Sequence, residues 1–373
     1  MMARLFFDAR IISGGYSGIA RYTGSLLIGL LNSPHLYDEL TVLFDSNFDY
    51  NNNENYSAIK ANWKDGVKEV RLNAPPFSIR HHCVVSRYVN KQKPDLYFYP
   101  HFDVPYWIRA DTTFVIHDLF AFYMSNYFGK RNSFMKTYYR LTITKVLRRK
   151  QTRLITVSQS TLHTVAEVFG DSSIRNAKVE YESSPITLVE SGTAVPYPTG
   201  DQPFLLYVGS RRPNKNLKFI IEVFKELKEE FGYRGKLMMI SGTKNWNYDL
   251  DKARSRYEFI ELINGVNDSQ LKRLYQKMDA LFYPSLYEGF GMPIVEAAAQ
   301  GKKIITSNKS SMKEIAPEWA LLIDPESFDH KSVAGVIASY LAEDDRPNLA
   351  DYPFNQLSWK QIAERIFSSN KTP

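Results

Sequence analysis

The alternation of short apolar runs with longer helical segments is the feature of this 373-residue chain that most restricts its fold. The apolar runs are rich in residues that favour strands, and a helical segment connects most of them to the next. This pattern predicts an α/β protein built on mostly parallel sheets. The clearest predicted helices are Leu217–Phe231 and Asp268–Met278. The predicted strands are Arg4–Asp8, Leu40–Phe44, Asp95–Tyr99, Thr113–His117, Arg153–Val157, Phe204–Val208, Lys236–Ile240, Tyr257–Leu262, Ala280–Tyr283 and Lys302–Thr306.

The alternation occurs twice, and a segment rich in proline separates the two occurrences. Residues 195–203 contain three prolines and a glycine, a composition typical of a linker. A chain of this length exceeds one compact core and suits two domains of about 150–200 residues each. We therefore predict two nucleotide-binding-like domains, residues 1–194 and 195–356, with a cleft between them.

The composition excludes several classes of protein. With 44% hydrophobic, 14% aromatic and 23% charged residues, the chain is expected to be globular and not disordered. No stretch approaches the roughly 18 consecutive apolar residues of a membrane-spanning helix. Asp8 interrupts the first apolar run, which argues against a signal peptide. The single cysteine, Cys83, excludes an internal disulfide framework, so we expect a cytosolic protein.

The net charge of +7 is unevenly distributed. Residues 1–192 hold 23 basic against 17 acidic residues, and the remainder holds 24 against 23. Between Arg131 and Arg153 there are eight basic residues and no acidic one. Such a concentration fits an anionic partner, which would be a phosphorylated ligand, an acidic membrane surface or a nucleic acid. It fits equally well a helix face that is simply solvated.

Residues 280–301 combine a strand, a glycine-rich turn and a helix. The strand ends at Tyr283, and the turn contains Gly289 and Gly291, which let backbone amides approach a ligand closely. The helix has proline near its start and ends at a glycine, the expected residues at the two ends. Glu288 and Glu296 bracket the turn, and carboxylates there suit the hydroxyls of a sugar and a ribose. Alternatively, both are ordinary solvated charges.

The string Tyr-Pro-Ser-Leu-Tyr-Glu-Gly-Phe-Gly-Met-Pro-Ile-Val-Glu-Ala, residues 283–297, resembles the signature of glycosyltransferase family 4. The two glutamates of that signature lie eight positions apart, as Glu288 and Glu296 do. The resemblance implies a retaining enzyme with the GT-B fold, in which two Rossmann-like parallel-sheet domains face a central cleft. It further implies that a C-terminal helix, residues 357–373, crosses back to the first domain. The donor-binding residues implied in this segment are Glu288, Gly289, Phe290, Gly291 and Glu296.

A second candidate site lies in the loop after the strand Phe204–Val208. Arg211 and Lys215 on this loop suit a diphosphate, the arginine through a bidentate fork and the lysine as a point charge. The alternative is a polar loop with solvated cations. The family carries an arginine and a lysine here as diphosphate ligands, which matches Lys215 cleanly. The arginine is assigned to Arg211, with Arg212 as the second choice.

Three segments of the first half match further family features. The glycine-rich loop over residues 13–22 resembles the loop that reaches donor phosphate and acceptor, which implies a donor role for Gly15 and acceptor contacts for Tyr16 and Arg21. An ordinary glycine turn is the alternative. His117 is expected to contact the transferred sugar and its transition state, and Asp118 to orient it or contact acceptor. Ser158 either touches the acceptor or caps a helix.

Two other patterns are discounted. Asp249-Leu250-Asp251 has the spacing of a metal-binding pair, but it lies in a polar loop and is better explained as the start of an exposed helix. Ser311-Met312-Lys313-Glu314 has the spacing of a capping box. The diphosphate can be neutralised by cations and helix amides, so we expect no metal and no cofactor beyond the co-substrate.

The resemblance implies a transferase that moves a hexose, with mannose as the best guess, from a GDP- or UDP-linked donor to a glycan or lipid-linked glycan. Bacterial surface polysaccharide or lipopolysaccharide assembly is the implied setting. The aromatic and basic stretch 131–153 is expected to rest on the inner face of the cytoplasmic membrane. Nucleic acid is not an expected partner, because no binding motif accompanies the basic excess. A non-catalytic protein that binds nucleotide sugars is the alternative.

Overall fold

A computed structural model describes residues 4–14, 18–50, 53–123, 132–184, 202–241, 249–343, 349 and 352–368. The chain divides into two compact units. Unit 1 comprises Met1–Glu182 together with Leu357–Pro373, and unit 2 comprises Ser183–Gln356. The linker expected at residues 195–203 falls largely outside the described residues.

Unit 1 is a seven-stranded parallel sheet with helices. Its strands are β1 (Arg4–Asp8), β2 (Glu39–Asp45), β3 (Lys68–Leu72), β4 (Leu96–Tyr99), β5 (Asp111–Ile116), β6 (Thr152–Thr156) and β7 (Ala177–Val179). Its helices are α1 (Gly18–Leu31), α2 (Glu54–Ala61), α3 (Ser86–Gln92), α4 (Phe120–Tyr123), α5 (Asn132–Leu147), α6 (Gln159–Phe169) and α13 (Trp359–Ser368).

The strand order in unit 1 is β3-β2-β1-β4-β5-β6-β7. The order reverses between β1 and β4, where Phe6 pairs with Thr41 on one side and with Tyr97 on the other. Such a reversal leaves a crevice at the carboxyl ends of the strands, where open α/β sheets bind their ligands. His117 and Asp118 follow the carboxyl end of β5, Ser158 follows that of β6, and Arg21 lies in α1, the helix after β1.

Unit 2 repeats the plan with a six-stranded parallel sheet in the order β10-β9-β8-β11-β12-β13. Here the order reverses between β8 and β11, so the loops after these two strands share one edge. The strands are β8 (Phe204–Val208), β9 (Lys236–Ile240), β10 (Ile260–Ile263), β11 (Ala280–Tyr283), β12 (Lys303–Ser307) and β13 (Leu321–Ile323). The helices are α7 (Leu217–Glu229), α8 (Leu250–Arg256), α9 (Asp268–Lys277), α10 (Met292–Ala299), α11 (Ser310–Ile315) and α12 (His330–Ala342).

Each of the ten predicted strands has a counterpart, but three strands were not predicted. The missed strands β3, β7 and β13 all lie at sheet edges. Strand β3 has mostly half-buried or exposed side chains, and the other two are three residues long. Their side chains therefore give too short or too polar a pattern to stand out from the surrounding loops.

The last helix, α13, packs within unit 1 against α1. Its buried face includes Trp359, whose ring meets that of Tyr22 edge-on at 5.4 Å between centroids. Helix α1 lies so close that a Cβ added at Gly29 would stand 2.2 Å from the carbonyl oxygen of Trp359. The buried face has the apolar spacing that the sequence predicts for this helix.

Candidate functional site

The turn between β11 and α10 has the structure that its sequence predicts. Strand β11 ends at Tyr283, and Pro293 occupies the first turn of α10. The helix ends just before Gly301, which has a φ of +65°. Gly291 precedes the helix with a φ of +108°, and a Cβ there would lie 3.2 Å from the Cδ1 of Ile315. The backbone conformation therefore favours glycine at position 291, and a larger residue would also press on Ile315.

Glu288 and Lys215, which are distant in sequence, form an ion pair. The Nζ of Lys215 donates to the Oε1 of Glu288 at 2.6 Å, and each side chain is 13% exposed. The same Nζ donates to the hydroxyl of Tyr283, and burial together with the Glu288 charge raises the pKa of this phenol. Glu288, predicted to bind a sugar, and Lys215, predicted to bind a diphosphate, are thus in contact at a partly exposed position of unit 2.

The backbone of Glu288 is held by the start of α11. The hydroxyls of Ser310 and Ser311 donate to the Glu288 carbonyl at 2.6 and 3.0 Å, and that of Ser311 also donates to the Phe290 carbonyl at 2.7 Å. Ser310 has a φ of +52°, a conformation that costs free energy in any residue but glycine. The capping box predicted from Ser311 is wrong, because α11 begins at Ser310, and its cap position is Lys309, without a capping side chain.

A close backbone approach brings Lys215 to this point. The hydroxyl of Tyr207, at the end of β8, donates to the carbonyl of Ser210 at 2.6 Å. A Cβ at Gly209 would stand 2.7 Å from that hydroxyl and 3.5 Å from the Cε of Lys215. The hydroxyl of Tyr207 can reach the carbonyl of Ser210 because residue 209 has no side chain, and the contact with Lys215 would be an ordinary one.

Arg211 is buried beside a carboxylate that the sequence analysis discounted. Its Nη1 donates to the Oδ2 of Asp251 at 2.6 Å, with the arginine side chain 1% exposed and the aspartate 60% exposed. Asp249 caps α8, as expected for a helix start, since its side chain accepts from the amide of Lys252. Arg212, the second choice for a diphosphate ligand, is exposed. The two arginines therefore differ sharply in environment.

Glu296 lies inside unit 2 instead of on an exposed helix face. It is 1% exposed, and its Oε2 accepts a hydrogen bond of 2.7 Å from the hydroxyl of Tyr275 on α9. Phe290 is also buried and its ring lies 5.9 Å from that of Phe354. Gly289 lies in the turn between Glu288 and Phe290. A ligand contact from Phe290 would therefore come from its backbone.

In unit 1, His117 follows the end of β5 and is held from both ring nitrogens. Its Nε2 lies 3.0 Å from the carbonyl oxygen of Pro100, which can only accept, so this nitrogen carries a proton. Its Nδ1 lies 3.4 Å from the Oε1 of Glu182. Glu182 is 3% exposed, and the sequence analysis did not single it out.

The ring of His101 is a second imidazole at this edge of unit 1. Burial lowers its pKa to about 3, and the neighbouring His117 adds to the effect. It is therefore neutral near pH 7. Its Nδ1 accepts from the amide of Asp103 at 3.3 Å, which places the ring proton on Nε2.

The other candidates of unit 1 have mostly local roles in the structure. Asp118 accepts from the amide of Phe120 at 3.0 Å and so caps the short helix α4. Ser158 is fully buried and caps α6 through the amide of Thr161 at 3.0 Å, which is one of its two predicted roles. Arg21 lies in the first turn of α1 and is half-buried. Gly15 and Tyr16 lie outside the described residues.

The basic stretch 131–153 includes helix α5, whose described part presents cations beside exposed apolar groups. The Nζ of Lys145 lies 4.0 Å from the ring centroid of Tyr106 and 5.9 Å from that of Trp107. Trp107 is 57% exposed and Leu141, one turn before Lys145, is 63% exposed. In the described parts of the chain, no helix has both the length and the apolar character to cross a bilayer.

Across the described ranges, no group of three or more histidine, cysteine, aspartate or glutamate side chains is arranged to hold a metal ion. Asp249 and Asp251, the pair with metal-binding spacing, are instead engaged by a helix amide and by Arg211.

Comparison with known proteins identifies the second half of the chain. Residues 194–352 match the family described as glycosyl transferases group 1. Over these residues the chain is similar to group 1 glycosyl transferases. The matched segment contains the Lys215–Glu288 ion pair, the Arg211–Asp251 pair and buried Glu296.

Relatives of the chain include two named O-antigen chain mannosyltransferases. Mannosyltransferase B of Escherichia coli is 29% identical over 178 residues, which cover 46% of each chain. RfbU of Salmonella typhimurium is 25% identical over 235 residues, which cover 62% of this chain and 61% of the relative. The chain thus spans about half the length of these curated relatives.

Solved structures show that the chain has a GT-B fold. Anabaena Alr3699/HepE in complex with UDP and glucose aligns over 100% of both chains, with a TM-score of 0.69 and 15% identity. WaaG, a glycosyltransferase involved in lipopolysaccharide biosynthesis, aligns over 98% of this chain and 95% of its own, with a TM-score of 0.63 and 13% identity. The predicted fold class is confirmed.

Proposed function

We propose that the protein is a retaining hexosyltransferase of glycosyltransferase family 4, which moves a hexose from a nucleotide diphosphate sugar to a glycan in surface polysaccharide assembly. The observation that carries the proposal is the Lys215–Glu288 pair. A cation and a carboxylate lie 2.6 Å apart beside the start of α10, inside the segment that matches group 1 glycosyl transferases. This arrangement supplies one group for a phosphate and one for sugar hydroxyls. No metal or other cofactor is part of the proposal.

Loss of the nucleoside diphosphate is the electrostatic problem of this reaction. As the anomeric carbon becomes cation-like, negative charge develops on the departing phosphate oxygen, and preorganised cations and amides stabilise it. Lys215, Arg211 and the amides that follow Glu288 take this role in the proposal. Glu288 itself binds sugar hydroxyls, and buried Glu296 holds the ribose through its carboxylate edge.

Retention follows from attack on the same face that the diphosphate leaves. The acceptor oxygen forms its bond to the anomeric carbon as the bond to the phosphate oxygen breaks. The proton of the acceptor hydroxyl passes to that phosphate oxygen, so Glu288 need not act as a base. His117 in unit 1 contacts the transferred sugar and its transition state. Its ring, held by Pro100 and Glu182, is fixed in orientation for that contact.

GDP-mannose is the first donor to test, and UDP-sugars are the next. The relatives named above as O-antigen chain mannosyltransferases support mannose. The complexes of Anabaena Alr3699/HepE with UDP-glucose and with UDP and glucose support a uridine nucleotide. The acceptor is a glycan or a lipid-linked glycan.

Turnover of donor by the full chain tests the site. Glu296→Ala and Lys215→Ala should each lower the rate of hexose transfer, or of donor hydrolysis without acceptor, by at least tenfold, equivalent to about 1.4 kcal/mol. Lys225→Ala is the matched control, because Lys225 also forms an ion pair but on the surface of α7. Equal turnover by the unaltered chain and the three variants would contradict the assignment of these residues to the site. A product of inverted anomeric configuration would contradict the family.

Part of the proposal is that unit 1 rests on an anionic membrane, where a lipid-linked acceptor is found. The contact is made by Trp107, Leu141 and Lys145. Two exposed apolar side chains next to a cation match the acyl boundary and the headgroups of anionic lipid. The excess of cations lies in the same half of the sequence. The protein would therefore be peripheral on the inner face of the cytoplasmic membrane.

Sedimentation with vesicles tests this contact. The full chain should bind phosphatidylglycerol vesicles at low salt, lose binding as salt rises, and ignore pure phosphatidylcholine vesicles. Trp107→Ala and Leu141→Ala should weaken binding at least threefold. Val336→Ala, which removes an exposed apolar side chain from α12 in unit 2, should leave it unchanged. Absence of vesicle binding by the unaltered chain would contradict the membrane contact. It would not bear on the transfer reaction, which the turnover assay tests.

A further inference from the structure

The loop between β3 and α3 in unit 1 holds a phenylalanine in a conformation that phenylalanine rarely adopts. Phe77 has a φ of +62°, in the left-handed region, where a side chain meets its own backbone. Its ring is nevertheless 47% exposed, so burial of the whole side chain does not explain why the strain is kept. Strained residues that persist are concentrated at ligand-binding sites.

The surrounding loop is built to hold this conformation. The amide of Phe77 donates at 3.0 Å to the Oδ2 of Asp103, a fully buried carboxylate. The other oxygen of Asp103 accepts from the hydroxyl of Tyr138 at 2.8 Å. Two prolines precede Phe77, and the hydroxyl of Ser78 donates to the first of them, Pro75, at 2.6 Å. Asp103, which also lies 3.5 Å from the Nε2 of His81, thus ties the backbone of Phe77 to buried groups of unit 1.

The ring lies beside the carboxyl end of β4 in unit 1, the edge at which open α/β sheets bind ligands. Its centroid is 5.2 Å from that of His101, with the two rings at 84°, and His101 follows the carboxyl end of β4. His117 follows the carboxyl end of β5, and its Nε2 donates to the carbonyl of Pro100, the residue before His101. A π-helical turn, His81–Val85, begins four residues after Phe77, and such turns are frequent at functional sites.

We propose that Phe77 is a stacking platform for a pyranose ring of the acceptor glycan. The C–H face of a sugar packs on an aromatic ring, while its hydroxyls need polar partners, and the imidazole of His101 adjoins this ring. The proposal rests on the proposed function for the identity of the acceptor. A lipid chain is the competing occupant, because Ile79, two residues away, is 83% exposed.

Ligand-observed NMR with the full chain tests the platform without any donor. The probes are methyl glycopyranosides of mannose, galactose, glucose and N-acetylglucosamine, added one at a time. Saturation transfer from the chain should reach ring protons on one face of at least one glycoside. Phe77→Gly should reduce this transfer at least fivefold, and Phe77→Trp should retain it. Because glycine adopts a positive φ freely, Phe77→Gly should melt at or above the temperature of the unaltered chain.

Ile79→Ala is the matched control, since it removes a more exposed apolar side chain from the same loop. It should leave glycoside binding unchanged. If Ile79→Ala and Phe77→Gly weaken binding to dihexanoylphosphatidylcholine equally, and neither changes glycoside binding, the sugar platform is overturned in favour of a lipid site. Saturation transfer equal in Phe77→Gly and the unaltered chain would overturn it as well. If donor turnover persists in that case, only the platform fails. If the unaltered chain lacks donor turnover, the proposed function fails separately.

Discussion

At the residue scale, the arrangement around Arg211 raises a question of charge. A guanidinium that is 1% exposed needs a counter-charge, and Asp251 supplies it at 2.6 Å. If Arg211 also faces the diphosphate, the carboxylate and the ligand share one cation. Asp251 would then lower the affinity for the ligand while it stabilises the ligand-free protein.

This reasoning predicts that Asp251→Asn binds GDP or UDP more tightly than the unaltered chain. The gain should be about two- to fivefold and no more, because a carboxylate that is 60% exposed is well screened by solvent. Asp249→Asn is the matched control, since it removes the same charge two residues away and keeps a good helix cap. Calorimetric titration measures both. Unchanged or weaker binding by Asp251→Asn would contradict a diphosphate role for Arg211.

The same residues mark what the sequence can and cannot predict about the site. The turn from Tyr283 to Gly301 is predictable because glycine, proline and glutamate act locally there. The partners Asp251, Tyr275 and Glu182 are not, because each contacts its candidate residue from a different element. Nothing in a single sequence pairs Glu182 with His117 across 65 positions. Phe77 was missed because its positive φ leaves no pattern in the sequence.

At the element scale, the buried contacts of unit 1 depend on how closely α13 approaches α1. The approach is set at Gly29, where a Cβ would stand 2.2 Å from the Trp359 carbonyl oxygen and 2.6 Å from its carbon. Both atoms belong to the backbone, so the clash is relieved only if one helix moves. At Gly24, on the same helix, the nearest atom is the Cβ of Asn55 at 3.5 Å, an ordinary contact.

Gly29→Ala and Gly24→Ala should therefore have opposite effects on stability. Gly29→Ala should lower the free energy of unfolding by about 1–3 kcal/mol, the usual cost of an overpacked contact. Gly24→Ala should be neutral or raise it by up to about 1 kcal/mol, since alanine is the better helix former. Urea unfolding followed by circular dichroism compares the two. Equal destabilisation would mean that α13 does not pack on α1 as described.

The elements themselves were largely predictable, and the exceptions have a common cause. A parallel strand buried on both faces is a continuous apolar run, as in β1, β4 and β11. Of the edge strands, β3 carries only exposed or half-buried side chains, and β7 and β13 are three residues long. Pairing with the neighbouring strand therefore defines them more than their composition does.

At the scale of the whole molecule, the excess of positive charge needs an explanation of its own. Lys215 and Arg211 lie in unit 2 and are each paired with a carboxylate, so a diphosphate site there accounts for none of the excess in residues 1–192. The described part of α5 places some of that charge beside Trp107 and Leu141. In our proposal the donor is bound in unit 2, and the acceptor and membrane are contacted by unit 1.

Direct binding of a nucleotide sugar to the full chain tests the central claim, that Lys215 and Glu288 form the donor site. Calorimetric titration with GDP-mannose, and then with UDP-glucose, should detect saturable binding of at least one donor. Lys215→Ala should weaken that binding at least tenfold, and Lys225→Ala should leave it unchanged. Absence of binding by both donors, or equal affinity of Lys215→Ala and the unaltered chain, would contradict the account.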